Sequence, residues 1–376
     1  MKFFKCILLS IFLLTSFYPT FLGAQELVED KVEVVKAQVV EVLSQKKQTI
    51  PGVSIESTSQ TITVKILEGE KTGESVTIEN DYIMLEPGDR FFLYHSVDAI
   101  DGRETYSVRD IDRRPVIFFF IALFVAVVLL FSGKQGVRSL IGLAGSFFVI
   151  LYVLIPGLLA GYPPILTSII VATVILFLAI YFTHGFNRVS TVAFTGTVLA
   201  VILTGTLAYI GVSLARFTGF ATEEAFYLNL NTRGTLDFTG LLLGGIMIGV
   251  LGVLDDIAVT QAAVVRELYS SAAHLSRKEV YRKALSVGKE HVGALVNTLA
   301  LAYTGASLPL LLLFSSANTS MSNVINQEVF ATEIIRTVVG SIGLILTVPI
   351  TTLLAVYLLK GYKGKMIPNS HIGHTH

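Results

Sequence analysis

The sequence predicts an α-helical integral membrane bundle of about seven transmembrane helices, preceded by a small extracytoplasmic all-β domain. First, the 376-residue chain is 52% hydrophobic, a composition that is unusual for a water-soluble protein. Second, residues 1–115 hold 13 of the 28 basic and 18 of the 28 acidic side chains. Third, the remainder contains apolar runs long enough to cross a bilayer. These features exclude an ordinary cytosolic enzyme and a nucleic-acid binder that relies on overall charge.

Residues 1–24 have the pattern of an export signal peptide, with a charged start at Lys2 and Lys5, an apolar stretch over 7–17 and a small-residue end. The same residues fit an uncleaved membrane anchor, so both interpretations stay open. Cys6 is the only cysteine of the chain, which excludes a disulfide framework. With either interpretation, the residues that follow are predicted to face outward.

Residues 25–114 are predicted to form an extracytoplasmic β domain. Short apolar alternations recur there, and one of them places Ile62, Val64 and Ile66 on one face of a strand. Turn sequences rich in Gly, Pro and Asp separate these runs. About five or six strands in about eighty residues suit a small barrel of the OB or SH3 type. Its role is either that of a ligand-binding barrel or that of a docking or lid domain.

Residues 115–360 are predicted to form the transmembrane domain, because charged residues become rare directly after Arg114. Apolar runs of about 17–25 residues are the length that spans a bilayer as a helix. The seven predicted spans are 116–132, 139–161, 164–183, 189–212, 236–258, 291–314 and 331–359.

The basic residues predict the orientation of these spans in a cell (plasma) membrane of bacterial type. With the β domain outside, the inner segments carry twelve Lys or Arg residues, and the outer loops carry only Arg216 and Arg233. Basic residues favour the cytoplasmic side. We therefore expect an extracytoplasmic amino-terminal domain, an odd number of spans and a cytoplasmic tail at 361–376.

A cytoplasmic helix is predicted at about 276–290. Ser276 and Glu279 have the spacing of a capping box, and Leu275 and Val280 have that of a hydrophobic staple. The basic residues that follow give the helix an amphipathic pattern suited to the inner membrane face. The same pattern also follows from the inward charge bias alone.

Asp255 and Asp256 are the most informative residues of the predicted spans, because intramembrane acids are costly and usually functional. Apolar residues precede the pair and resume after it at Ile257. Two adjacent carboxylates at low dielectric favour the binding of a proton or a cation. The alternative is a hydrated pair at a helix end. Thr260 and Gln261 extend the polar stripe.

A second polar set occupies the next predicted span. Asn297 and Thr298 lie there, and Thr304 is seven residues after Asn297 on the same helix face. These groups form either a hydrogen-bonded track toward the carboxylates or contacts between helices. Glu333 and Arg336, three residues apart in the last span, are expected to pair with each other.

Motifs for catalysis are absent from the sequence. No GxxxxGK[ST], HExxH or GxSxG occurs, so no enzyme activity, catalytic residue or cofactor is predicted. His371, His374 and His376 cluster on the tail, but such a tail is usually solvated, so no metal site is predicted either.

The membrane part resembles the YibE/F family of multi-pass membrane proteins. The stretches that carry the resemblance are Gly252-Val253-Leu254-Asp255-Asp256-Ile257-Ala258-Val259-Thr260-Gln261, Arg266-Glu267-Leu268 and Gly293-Ala294-Leu295-Val296-Asn297-Thr298-Leu299. The resemblance implies an integral membrane protein, with a transport-related role. The Asp-Asp pair, Arg-Glu and following span are also similar, more weakly, to a half-repeat of resistance-nodulation-division and Sec accessory permeases, in which membrane carboxylates couple proton movement to work.

The sequence therefore yields two hypotheses. The first is a transporter or proton-coupled translocation accessory with Asp255, Asp256, Thr260, Gln261, Asn297 and Thr298 as proton, cation or transport residues. The second is a non-transporting scaffold or assembly factor whose outer β domain binds a partner. The expected partners are the lipid bilayer, a small solute or ion (a proton or a cation), and a second copy of the chain or another membrane protein, with no nucleic acid.

Overall fold

The computed structural model describes residues 31–49, 56–99, 101–272, 274–315 and 320–361. The predicted signal at 1–24, Cys6 and the histidine-containing tail from 362 onward lie outside the described residues. The chain forms two compact units with a boundary between Leu123 and Phe124.

The first unit contains one antiparallel five-stranded sheet in the order β3-β2-β1-β4-β5. The strands are β1 (Lys31–Thr49), β2 (Glu56–Ile66), β3 (Ser75–Asn80), β4 (Arg90–Val97) and β5 (Glu104–Ile111). The predicted alternation in β2 is confirmed, because Ile62, Val64 and Ile66 are all buried in the core of this unit.

The long central strand β1 gives the sheet its curvature. Its first part pairs with β4 and its second part with β2. Two register shifts, between Val39 and Glu41 and between Val42 and Ser44, interrupt the pairing with β2. Such bulges bend a strand and increase its twist. The edge strands β3 and β5 approach each other but are the two ends of the hydrogen-bonded order. The curved sheet is therefore a half-barrel.

The rest of the described chain is helical. Its elements are α1 (Arg114–Val149), a π-helical turn (Ile150–Leu154), α2 (Ile155–Leu159), α3 (Pro164–His184), α4 (Arg188–Ala215), α5 (Glu223–Asn231), α6 (Phe238–Ser271), α7 (Arg277–Ala306), α8 (Leu308–Ser315), α9 (Met321–Asn326) and α10 (Glu328–Leu358).

Several of these helices are long and apolar enough to cross a membrane. Five such segments occur among the described residues, and the count becomes six if α7 and α8, which meet at a bend of 61°, form one span. The expected count of seven is not confirmed. The first predicted span and all but the last two residues of the second lie in one 46-residue segment, Arg114–Leu159, which is interrupted by non-helical backbone at Gly133 (φ 51°, ψ −129°).

The predicted start of the 276–290 helix is confirmed. Ser276 Oγ accepts a hydrogen bond from the Glu279 amide at 3.3 Å, and the Ser276 amide donates to Glu279 Oε2 at 2.8 Å. The helix then continues without a break to Ala306. The predicted cytoplasmic helix and the first part of the predicted span at 291–314 are therefore one element.

Helix α6 is the centre of the helical unit and contacts α3, α4, α7 and α10. The helices approach closely where a glycine faces a small or polar side chain. A Cβ on Gly244 would collide with Ser168 Oγ of α3, and one on Gly343 of α10 would collide with the Thr204 side chain of α4. Small residues permit such approach, and van der Waals packing then holds the helices together in lipid.

The contacts also define the helix directions. Gly244 faces Ser168 and Gly240 faces Pro164, so α3 runs parallel to α6. Helix α7 runs antiparallel to α6, because Gly288 lies against Gln261 and Tyr303 lies against Gly249. The predicted alternation of spans requires these same relative directions.

We expect Gly343→Ala to lower the free energy of unfolding by about 1–3 kcal/mol through overpacking. Thr204 cannot easily make room, because its side chain is fully buried and its hydroxyl donates to Ala200 O at 2.7 Å. The matched control is Gly245→Ala, where nothing lies within 4 Å of the added Cβ. Thermal unfolding of the purified protein in detergent should show a loss for Gly343→Ala and none for Gly245→Ala. Equal melting temperatures for both variants would contradict the packing described.

Candidate functional site

The two adjacent carboxylates lie in the second half of α6. Asp255 is half-buried and Asp256 is exposed. The pair lies between the buried residues Leu254 and Ile257. At 1.5 Å per residue, Asp255 lies about 26 Å along the helix from Phe238. The hydrocarbon core of a bilayer is about 30 Å thick. If Phe238 marks one boundary of this core, the pair lies just inside the other boundary.

A histidine that the sequence analysis missed belongs to this site. His184, the last residue of α3, interacts electrostatically with Asp256. The interaction arises because α3 and α6 are parallel, so that the carboxyl-terminal end of α3 lies at the level of the acids. The position of His184, one residue after the predicted span at 164–183, gives no sign of this interaction.

Gln261 lies where α6, α7 and α10 meet. Its side chain is 1% exposed, and its Oε1 accepts a hydrogen bond from Thr352 Oγ1 at 2.9 Å. A Cβ on Gly288 of α7 would lie only 2.5 Å from Gln261 Nε2. Gln261 therefore connects three helices about one and a half turns beyond the acids, while Thr260 is half-buried.

Asn297 and Thr298 are exposed on α7. The Thr298 hydroxyl donates to Ala294 O of its own helix at 2.9 Å. Within the described chain, no hydrogen bond joins either residue to Asp255 or Asp256. The structure thus places His184 within electrostatic range of Asp256 and brings Thr352 and Gly288 to Gln261, without linking Asn297 and Thr298 to the acids.

A second candidate site is a charged cleft of about 90 Å³ on the β unit, which Lys71, His95 and Glu104 line together with other residues. Glu104 Oε2 forms an ion pair with Lys71 and accepts a hydrogen bond from the Tyr106 hydroxyl at 2.7 Å. The hydrogen bonds from Lys71 and then Tyr106 lower the pKa of Glu104 to about 2. The His95 ring stacks on Tyr106 at 4.6 Å, and its Nε2 lies 3.5 Å from Glu104 Oε2.

Neither site has the ligand arrangement of a metal centre. Across the described ranges, no group of three or more His, Cys, Asp or Glu side chains is arranged to hold a metal ion. The chemistry available at α6 is instead that of two adjacent carboxylates within electrostatic range of an imidazole.

Together, the spanning-length helices, their glycine contacts and the acids within α6 define a multi-pass membrane protein that carries a small β unit. Residues 120–361 match the family model described as YibE/F-like protein. The chain therefore belongs to the YibE/F family, and the match covers most of the helical part but none of the five strands. A search of curated proteins and a search of solved structures each found no match.

We expect Thr352→Val to lower the free energy of unfolding by about 1–3 kcal/mol, because it leaves the buried Gln261 amide without its hydrogen-bond donor. Combining it with Gln261→Leu should restore most of that loss, since two apolar side chains of similar size replace the polar pair. Melting temperatures of the single and double variants test the coupling. A double variant as unstable as the sum of the two single variants would rule out this interaction.

Proposed function

We propose that this YibE/F protein is a transporter or proton-coupled translocation accessory of the bacterial cell membrane. It moves a small solute or ion, and Asp255 and Asp256 bind the proton or cation that drives the movement. In this proposal the protein has no enzyme activity, the β unit is extracytoplasmic and the carboxyl terminus is cytoplasmic.

The observation that carries the proposal is the position of two adjacent carboxylates within a helix of spanning length. Two ionised carboxylates side by side repel each other, and the repulsion grows as the dielectric constant falls. A bound proton or cation relieves it. Such a pair is costly to keep inside a membrane without a role, and intramembrane acids mark ion and proton pathways.

The packing of α6 supports a coupling role for the pair. The helix contacts four neighbours, so a change of charge at Asp255 or Asp256 acts on the element around which the others are arranged. His184 provides a further titratable group within electrostatic range of Asp256. Thr260 and Gln261 continue the polar stripe toward the three-helix contact, and Asn297 and Thr298 are proposed to face the transported species on α7.

We further propose seven spans. Segment Arg114–Leu159 would be about 69 Å long as one straight helix, more than twice the hydrocarbon thickness of about 30 Å. Its non-helical backbone at Gly133 divides it close to where the sequence analysis separates the first two spans. With α7 and α8 as one bent span, the total becomes seven, and the β unit and the tail lie on opposite sides.

Replacing both acids by amides, Asp255→Asn with Asp256→Asn, should reduce proton flux at least about tenfold, because an amide neither takes up a proton at neutral pH nor holds a cation by charge. The measurement uses the full chain in liposomes that contain a pH-sensitive dye, with an imposed pH gradient. The matched control is Asp237→Asn on the same helix. Asp237 Oδ1 accepts a hydrogen bond from the Gly240 amide at 2.9 Å as the α6 cap, and asparagine caps equally well.

Flux that is unchanged in the double amide variant would refute the role of the carboxylates. Flux lost equally in Asp237→Asn would show that the loss follows from damage to α6 rather than from the missing charges.

The cleft on the β unit favours a second candidate function, a scaffold or assembly factor whose outer domain binds a partner. Lys31 and Glu70 form an exposed ion pair of 3.3 Å among the residues that line the cleft. Exposed ion pairs contribute little stability, so Lys31→Glu should change the charge of the cleft and leave the unit folded.

If the scaffold function is correct, a partner should copurify with the full chain, be lost in Lys31→Glu and be retained in the double amide variant of α6. Liposomes should then show no flux with the unmodified chain. Retention of the partner in Lys31→Glu would exclude the cleft as the contact.

A further inference from the structure

Arg336 is a charged side chain of α10 that the proposed proton site does not use. Its Nη1 lies 3.0 Å from Glu333 Oε1 and 3.3 Å from Glu333 Oε2, so the expected pairing of these residues is confirmed. Both side chains are about three-quarters buried. Arg336 lies about 12 Å along α10 from Glu328, within a segment long and apolar enough to span the bilayer.

The ion pair leaves part of the guanidinium group without a partner. Glu333 contacts only Nη1, while Arg336 Nε is buried and has no hydrogen-bond acceptor among the described residues. Thr332, one turn before Arg336 on the same helix face, is 5% exposed, and its hydroxyl also lacks a described partner. Two buried donors on one face are therefore unsatisfied, and such groups are costly unless something binds them.

The surroundings of Arg336 come from the same three helices that enclose Gln261. The guanidinium lies 5.9 Å from the centre of the Tyr303 ring of α7, and the Tyr303 hydroxyl lies against Gly249 of α6. One turn further along α10, Gly340 packs on Val250 and Leu299. Both of these apolar side chains are buried, so an apolar layer closes the site on the side of the acidic pair.

The unpaired N–H edge of a guanidinium is specific in what it binds. The Nε edge of a guanidinium presents parallel N–H groups that match the two oxygens of a carboxylate or phosphate, and such bidentate contacts are stronger than contacts between neutral groups. A hydroxyl donor one turn away adds a further contact to the same ligand. A cation would be repelled by the guanidinium.

We propose that Arg336, supported by Thr332, binds an oxyanion group, a carboxylate or a phosphate, of the transported solute. The proposal rests on the proposed transport function, because it names the substrate class of that function. The oxyanion site and Asp255 lie about 14 Å apart along the helix axes, with the apolar layer between them, so the solute and the driving ion occupy different places.

The experiment uses the lack of tryptophan in the chain. Tyr303→Trp places a single tryptophan beside Arg336, and its fluorescence reports ligand binding in the full chain purified in detergent. The probes are inorganic phosphate and sodium acetate, titrated at constant ionic strength with sodium chloride as the balancing salt. We expect a saturable change of emission with one probe or both, and the probe that binds more tightly identifies phosphate or carboxylate as the preferred group.

Two substitutions on this background should act in opposite directions. Arg336→Lys keeps the charge and removes the planar pair of donors, so it should weaken binding about tenfold or more. Glu333→Gln removes a competing negative charge, so it should strengthen binding. The matched control is Arg282→Lys, at an exposed arginine of α7, which should leave the titration unchanged.

A merely structural ion pair predicts a different result, in which both Arg336→Lys and Glu333→Gln lower the melting temperature and no probe gives a saturable signal. That result would overturn the proposal, and so would equal affinities for Arg336→Lys and its parent. A gain of affinity in Glu333→Gln could not result from misfolding, so this variant separates an effect on the site from an effect on the fold. The double amide variant of α6 should keep anion binding. If anions bind but proton flux is the same with and without the two acids, the proton site alone is refuted.

Discussion

Close approach of helix backbones at small residues is the constraint on which the helical unit depends. Transfer of an apolar side chain from lipid to the protein interior gains little free energy, because both environments are apolar. Helices in a membrane therefore associate through van der Waals packing and hydrogen bonds between them. Helix α6 meets this condition with Gly244 against Ser168 of α3 and with Gln261 against Gly288 of α7. Because these contacts leave no room for an extra atom, they also fix the position of each neighbouring helix along α6. That position decides which polar groups of the two helices lie close together.

The contrast with α1 illustrates the same point. The most apolar stretch of segment Arg114–Leu159 has a mean hydropathy of 3.0 and no buried residue, whereas half of the corresponding stretch in α6 is buried. Phe118, Phe119 and Phe120 are among its exposed side chains. Such a surface suits contact with lipid. The most hydrophobic segment therefore has the smallest buried share of the five, and the glycine-rich α6 has, together with α10, the largest.

The sequence predicted features that depend on neighbouring residues. The capping box at Ser276 and the pairing of Glu333 with Arg336 are short-range, and the alternation in β2 follows from a period of two. Features that depend on tertiary packing were beyond it. The electrostatic interaction of His184 with Asp256 requires the parallel register of α3 and α6, and the contact between Gln261 and Thr352 joins residues 91 positions apart. The continuity of α7 was missed because its composition changes from charged to apolar while nothing at residue 290 breaks the helix.

The contacts of α6, α7 and α10 give a physical reason to consider the two polar sites together. The oxyanion site proposed at Arg336 and the three-helix contact at Gln261 lie on opposite sides of the buried residues Val250 and Leu299. An ion that changed the charge of Asp255 would change the electrostatic free energy of α6 between these two places. A resulting displacement of α6 would act on α7 and α10 through the glycine contacts that hold them. Since those contacts permit only small displacements without collision, a rearrangement must move whole helices relative to one another, which is how packed interfaces switch between discrete states. Coupling between a proton and an oxyanion solute would then require no direct contact between them, only a common set of helices with two allowed registers.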